Sequence, residues 1–330
     1  MNLLKPSIAK KFLVVGLISL CYMCVIGDER ERAEMYGAKA SIEVQVTNEE
    51  GETVSNALVK IYFGMSVREG KEVKGKTNAG GVFEGQGKTT GEIYIDVEHA
   101  GFYNSTRHLR LFDETSAEVK KGKWQPYGRK EKIVLRRIGI PVSLLRYGKT
   151  IPIPETNTWF GFDMEVKDFV APNGKGVTAD FDVQIQWDGL PPTSSLFDSV
   201  AIRFRDKGSG AYQVQRCDES DFKWVHQANV DGYSQTELHF SKRRVVGGYE
   251  KVGFDEKRPV VCRTRCRFDA DGNMIAANYS LITRLGSSSS WQGKALFVFS
   301  CFFNPTVNDR NLEEQNIYNT QNFRTIGGFK

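Results

Sequence analysis

The chain has 330 residues, a formal net charge of +5, and 32 glycines, 21 phenylalanines and 12 tyrosines. That length allows two domains of ordinary size, each with its own core. Its 45 basic residues against 40 acidic ones lack the concentrated basic excess of a polyanion binder, so nucleic acid is not an expected partner.

Lys5, Lys10 and Lys11 flank the start of an almost wholly apolar run from Phe12 to Gly27, and Val25-Ile26-Gly27 stands before Asp28. A cationic start, an apolar middle and tolerated residues at a cleavage site make a secretory signal, so residues 1–27 are expected to be removed after Gly27. As a helix the run spans about 24 Å, short of the roughly 30 Å hydrocarbon core that an uncleaved anchor must cross. A lipid-modified Cys21 is disfavoured by the bulky Leu20 before it. Cleavage removes three lysines and no carboxylate, which lowers the formal charge to +2. The expected location is secreted, periplasmic or cell envelope, with membrane contact only through the N-terminal segment if it is retained.

Residues 28–39 are expected to be a linker. From Ala40 apolar and polar residues alternate: Ile42, Val44 and Val46 point one way, and a turn follows at Asn48 to Gly51. Val54, Ala57, Val59 and Ile61 come next, then Thr77 to Phe83, then Ile93, Ile95 and Val97, then Gly101-Phe102-Tyr103. Period-two segments separated by turn residues about every ten positions predict a sandwich. This order of residues resembles the carboxypeptidase regulatory-like domain over about residues 40–137. The resemblance implies a seven-stranded sandwich of prealbumin-like topology, an accessory module with no catalytic residues. Gly87-Lys88-Thr89 imitates the end of a phosphate-binding loop, but the required glycine position holds Val82, and a strand pattern follows where a helix is needed. Asn104-Ser105-Thr106 and Asn278-Tyr279-Ser280 fit the glycosylation pattern.

Residues 112–132 read as a charged, solvated loop leading to a last strand at Lys132 to Arg136. Pro141, Pro152 and Pro154 then punctuate a crossing into residues 138–304. Phe160, Phe162, Met164 and Val166, then Val177 through Trp187, predict a hairpin of long strands around Pro172 to Gly176. More strands are expected at Val200 to Phe204, Tyr212 to Arg216, Val260 to Phe268, Met274 to Arg284 and Lys294 to Phe303, with Gly286 to Gly293 as a loop. The result is a second β-rich domain, sandwich or jelly-roll-like. Residues 305–330 are expected to be a polar tail with little to bury. The fold class is therefore all-β, two sandwiches in tandem.

Cys217, Cys262, Cys266 and Cys301 remain after cleavage, and outside the cytoplasm they can form up to two disulfides or stay as buried thiols. Cys262 and Cys266, four residues apart on one strand face, would lie about 13 Å apart and cannot pair with each other. Either could meet Cys301, which shares a face with Phe297, Phe299 and Phe303. None of His99, His108, His226 and His239 stands in a zinc-peptidase arrangement. No metal or cofactor is expected. Asp269 to Asn273 reads as a hairpin turn with positive φ at Gly272 or Asn273 rather than a calcium loop. Asp163, Glu165, Asp168, Asp180, Asp182 and Asp188 could supply a glycosidase pair, but they alternate with apolar residues as a solvated strand face does.

Arg263, Arg265 and Arg267 share one strand face, and Arg203 and Arg205 another. Two arginine ladders on adjacent strands would make a basic strip for sulfated or carboxylated glycans, since guanidinium forks bind oxyanions bidentately. The alternative is a solvated edge paired with acidic residues across the sheet. The expected function is an exported, non-catalytic binding or structural protein that contacts glycan or protein at the cell surface. The alternative is a secreted, carboxylate-dependent, glycan-directed hydrolase with an accessory N-terminal sandwich.

Overall fold

The computed structural model describes residues 29–65, 70–113, 117–187, 197–253, 258–289 and 294–315. The expected signal segment, residues 1–27, lies outside the described residues, as does Asp188. The fold is all-β apart from a helical stretch at residues 29–36 and a 3-10 turn at Leu111–Asp113. The chain divides into two compact units: the first runs to Ile138 and takes in Glu219–Asp221, and the second comprises Gly139–Asp218 and the chain from Phe222.

The first unit contains β1 (Ala38–Asn48), β2 (Leu58–Phe63), β3 (Lys71–Lys76), β4 (Val82–Thr89), β5 (Glu92–Glu98), β6 (Phe102–Tyr103), β7 (Ser105–Arg110), β8 (Glu118–Lys120), β9 (Lys123–Gln125) and β10 (Arg129–Arg137). One sheet is centred on β1, which pairs antiparallel with β4 and parallel with β10. The other has the order β3-β2-β5-β7. Alternation places Ile42, Val44 and Val46 from one sheet and Val59, Ile61, Phe63, Ile93, Ile95 and Val97 from the other in one buried core. The register Ile42↔Arg129 through Asn48↔Leu135 returns the last long strand alongside the first.

Two local expectations change in this unit. Residues 29–36, expected as linker, are helical because Ala33 is buried in the core and Arg30 Nη2 donates to Phe112 O at 2.7 Å. The helix stops at Gly37, whose φ of +80° closes the last turn with a 2.8 Å bond from its N–H to Ala33 O. The loop expected over residues 112–132 contains β8 and β9, because Val119 and Trp124 each supply one buried side chain. Trp124 is 2% exposed and donates Nε1–H to Thr89 O at 3.0 Å. The phosphate-loop look-alike is part of β4. A β-carbon at Gly87 would lie 2.3 Å from the Phe63 ring, so the glycine lets that ring cross the strand.

The second unit contains β11 (Leu145–Pro152), β12 (Phe160–Asp163), β13 (Asp168–Phe169), β14 (Phe181–Trp187), β15 (Phe197–Arg203), β16 (Gly210–Gln213), β17 (Glu237–Val245), β18 (Gly248–Gly253), β19 (Val260–Phe268), β20 (Met274–Ser289) and β21 (Ala295–Asn304). They form a five-stranded sheet of order β11-β21-β20-β19-β16 and a six-stranded sheet of order β13-β12-β14-β15-β17-β18. Phe162, Phe181, Phe297 and Phe299, with Val183, Val200 and Ile282, fill one core that draws on both sheets. The β19–β20 turn is built as expected: Gly272 has a φ of +84°, and Asp269 Oδ1 accepts from the N–H groups of Asp271 and Asn273 at 3.0 and 2.8 Å. Gly286 to Ser289, expected in a loop, continue β20 and pair with Val298 through Ala295.

The five-stranded sheet is buried on its other face too. Val261, Ala277, Tyr279 and Leu281 pack there with Ala228, Tyr233 and Leu312. Residues 305–315 are therefore not a solvated tail. Leu312 is 1% exposed, its N–H donates to His226 O at 2.8 Å, and Glu313 and Glu314 accept from the N–H groups of Gly139 and Leu144 at 2.9 and 3.1 Å. One apolar residue among Asn, Glu and Gln suffices to dock the segment, because the polar groups around it find backbone partners. Leu312→Ala is expected to cost the second unit about 2–5 kcal/mol in denaturant unfolding; a change below 0.5 kcal/mol, on the scale of ordinary surface substitutions, would return these residues to a solvated tail.

Candidate functional site

The hairpin expected around Pro172 forms with shorter strands: β12 pairs antiparallel with β14 from Phe160↔Val183 to Phe162↔Phe181. β12 ends at Asp163, Val177 is 80% exposed, and the chain between is a loop gathered by a carboxylate. Asp163 Oδ1 accepts from the N–H groups of Glu165 and Val166, both at 3.0 Å, and Oδ2 from those of Val177 and Thr178 at 2.9 and 3.0 Å. Asp180 accepts from Met164 N–H and from the Thr264 hydroxyl, both at 2.8 Å. Asp163, Asp180 and Asp182 are 2–4% exposed, so they are not the solvated face that their alternation suggests.

The cation that makes their burial tolerable is Arg265. Its Nε donates to Asp180 Oδ1 at 2.9 Å, and its Nη2 donates to Asp180 Oδ2 at 3.0 Å and Asp163 Oδ1 at 2.8 Å. Nη1 donates to Glu165, and the guanidinium carbon sits 5.0 Å from the centre of the Phe303 ring. Arg265 has a φ of +53° within a bulge where the β19–β20 register shifts between Thr264 and Arg267. A bulge inserts a residue and re-aims side chains, so Arg265 leaves the face of Arg263. For the same reason Cys266 packs against the outer cluster while Cys262 lies in the core between the sheets.

The expected basic strip is corrected on this ground and on topology. β15, which carries Arg203, and β19, which carries the 263–267 series, belong to different sheets. Arg203 Nε donates to Asp182 Oδ2 at 3.0 Å, and its guanidinium lies 4.0 Å from the centre of the Trp159 ring; Arg205 also pairs with Asp182. Arg263 donates to Gly208 O and Val230 O at 2.8 and 3.0 Å and stacks over Tyr233. Arg267 is exposed. These contacts turn four of the five guanidiniums toward internal acceptors, a demand from buried carboxylates and carbonyls that strand alternation does not reveal.

The four cysteines are free thiols. Cys262 and Cys301 share a core, but β20 lies between their strands. Two inter-strand spacings put them about 10 Å apart, beyond the roughly 7 Å limit for a bridge. Burial pushes both thiols up. His226 lies 3.8 Å from Glu313 and His239 lies 3.3 Å from Glu237, so the two histidines do not converge on a shared carboxylate.

A cleft of about 640 Å³ opens at one end of the second unit, a size typical of small-ligand sites. The segment after β11 closes this end: Ile153 N–H donates to Ala295 O at 3.1 Å, and Asn157 N–H donates to Ile185 O at 2.8 Å. Ile153, Phe169 and Trp187 give the cleft apolar lining, while Glu155, Asp168 and Asn173 give it polar lining. Asp168 is held by the N–H groups of Phe169 and Lys175, at 2.8 and 2.9 Å. The buried Trp187 Nε1 has no hydrogen-bond partner. Trp187 stood within a run read as strand, and Asp168 among carboxylates read as a solvated face or a glycosidase pair; the signal that was missed is a tryptophan at a strand end beside a proline-rich crossing.

No protein-family model matches the chain, and no characterised protein matches its sequence. Among solved structures it is similar to a 3-chlorocatechol 1,2-dioxygenase from Rhodococcus opacus, at 11% identity over 31% of this chain and 61% of that one, with a TM-score of 0.25. It is also similar to the shaft pilin SpaA from Lactobacillus rhamnosus GG, at 9% identity over 74% and 92% of the two chains, with a TM-score of 0.19. A protein described as carbohydrate-binding, from Bacteroides uniformis, matches at 7% identity over 82% and 98%, with a TM-score of 0.18. Likeness at these scores carries no argument about this chain, which spans less than two thirds of the dioxygenase.

Removing Arg265 strands two buried carboxylates, so Arg265→Ala is expected to cost the second unit about 3–5 kcal/mol, read from the denaturant midpoint; a loss below 1 kcal/mol, the range of a surface pair, would deny the cluster its structural role. Acid should act on the same cluster. Burial pushes the Asp163 carboxyl up, but the N–H groups of Thr178, Val166 and Val177 and the Arg265 guanidinium outweigh it and hold the group below its ordinary 3.8. Burial, the largest influence on Asp180, holds that group above 3.8 against Arg265. A depressed carboxyl contributes stability that is present above its unfolded pKa and lost as pH falls through the folded one, while Asp180 has the opposite slope. Asp163→Asn should therefore flatten the fall in stability below about pH 4 relative to the parent chain, as measured by denaturant midpoints across that range; an unchanged slope would remove Asp163 as the titrating group.

Proposed function

We propose that this protein works outside the cytoplasm as a non-catalytic binding or structural component of the cell envelope or extracellular space, meeting a glycan or another protein. The observation that carries this reading is the state of the buried carboxylates. Asp163, Asp180 and Asp182, the acidic groups best placed for acid–base chemistry, are each occupied by arginine. Such paired groups hold a fold in shape. The signal-like residues 1–27 support export. In the first unit, the strand order β4-β1-β10 against β3-β2-β5-β7 supports the carboxypeptidase regulatory-like resemblance, and with it an accessory or adhesive module.

The hydrolase reading has one observation in its favour, the presence of Glu155 and Asp168 on the same cleft. Against it, both Asp168 oxygens accept backbone N–H groups, so the carboxylate is engaged in holding its own loop. Exported chain, confirmed by mass to begin at Asp28, should be retained on glycan, peptidoglycan or protein surfaces without releasing new reducing ends. Release of reducing ends, abolished by Glu155→Gln, would replace this reading with the hydrolase.

A further inference from the structure

The cleft at the end of the second unit has a more definite chemistry than a general sheet surface. Its apolar lining comes from Ile153, Phe169 and Trp187, and its polar lining places carboxylates (Glu155, Asp168) beside an amide (Asn173). Asp168 is pre-organised: its two backbone bonds fix the carboxylate while leaving lone pairs for a further donor. Trp187 is the reverse, a buried donor that lacks an acceptor. That nitrogen is closed to solvent, so it offers no donor to a ligand in the cleft.

We infer that this cleft is a saccharide subsite that takes a neutral hexopyranose residue of a glycan, with its ring carbons against Trp187 and its hydroxyls shared between the acceptors Glu155 and Asp168 and the amide of Asn173. A sugar ring has an apolar face and hydroxyls that both donate and accept, which is the mixture lining the cleft. Two carboxylates, Glu155 and Asp168, against one lysine, Lys294, leave the lining net acidic, which favours a neutral residue over a sulfated or carboxylated one. This inference rests on the binding reading of the protein and narrows it to one site.

The test uses the full mature chain and hexamers of glucose, mannose, galactose and N-acetylglucosamine, followed by calorimetry and by tryptophan fluorescence. At least one hexamer should bind, with dissociation constants in the millimolar to micromolar range. Trp187→Ala should weaken that binding more than about tenfold. Trp187→Phe, which keeps an aromatic face, should weaken it less than the alanine variant does, without disturbing the fold. Glu155→Ala, an exposed change that leaves the core intact, should weaken it as well. If the hexamers bind equally well to all three variants, the subsite is wrong while the binding reading stands. Failure of every neutral hexamer on the parent chain, alongside retention on an acidic glycan or a protein, likewise overturns the subsite alone. Failure on every surface would overturn both.

Discussion

Arg265 reaches from a bulge in one sheet of the second unit to Asp180 and Asp163, which shape the other. The contact is a forked ion pair at 2.8–3.0 Å between two buried carboxylates and a largely buried guanidinium. Taking three such charges from water is expensive, and the attraction compensates only when geometry and the remaining hydrogen bonds are complete. Thr264 and the backbone N–H groups of Met164, Glu165, Val166, Val177 and Thr178 complete them. The cluster thus selects one loop conformation more than it adds net stability. That loop carries β13, whose Asp168 and Phe169 pair with Asp163 and Phe162 and line the cleft. The shape of the candidate site therefore depends on a guanidinium that does not line it.

The first unit is held together differently. Its core is a dry stack of Val, Ile and Phe from two sheets, and its closure comes from the parallel pairing of β1 with β10. Lys60 pairs with Glu98 at 2.5 Å nearer the surface, while the buried Glu131 is held between Arg107 and Arg129, each at 2.5 Å.

Within the second unit, charge and binding are separated. The arginines that looked available for an anionic ligand are spent on Asp182, Asp180 and backbone carbonyls, while the cleft combines an indole, carboxylates and an amide. A buried carboxylate needs a strong, fixed cation, and arginine is the residue whose donors match it bidentately. The same residue type in the same alternating pattern can thus serve the interior or the surface, and the difference is made by what stands across the sandwich.

Strand content, the two-unit plan and most core residues were legible from residue order, because period-two alternation is a local property and Ile42, Ile95 or Phe297 face inward wherever a sheet covers them. The turn at Asp269 to Asn273 was legible for the same reason, since its bonds close within five residues. What only the tertiary structure decided depends on partners distant in sequence. The bulge at Arg265, the opposite facing of Cys262 and Cys266, the burial of Asp163 and Asp180, the docking of Leu312 and the cleft beside Trp187 each arise from segments about 85 to 170 residues apart meeting in space. A one-residue change of register reverses every side chain beyond it, and no local pattern records where such a change occurs.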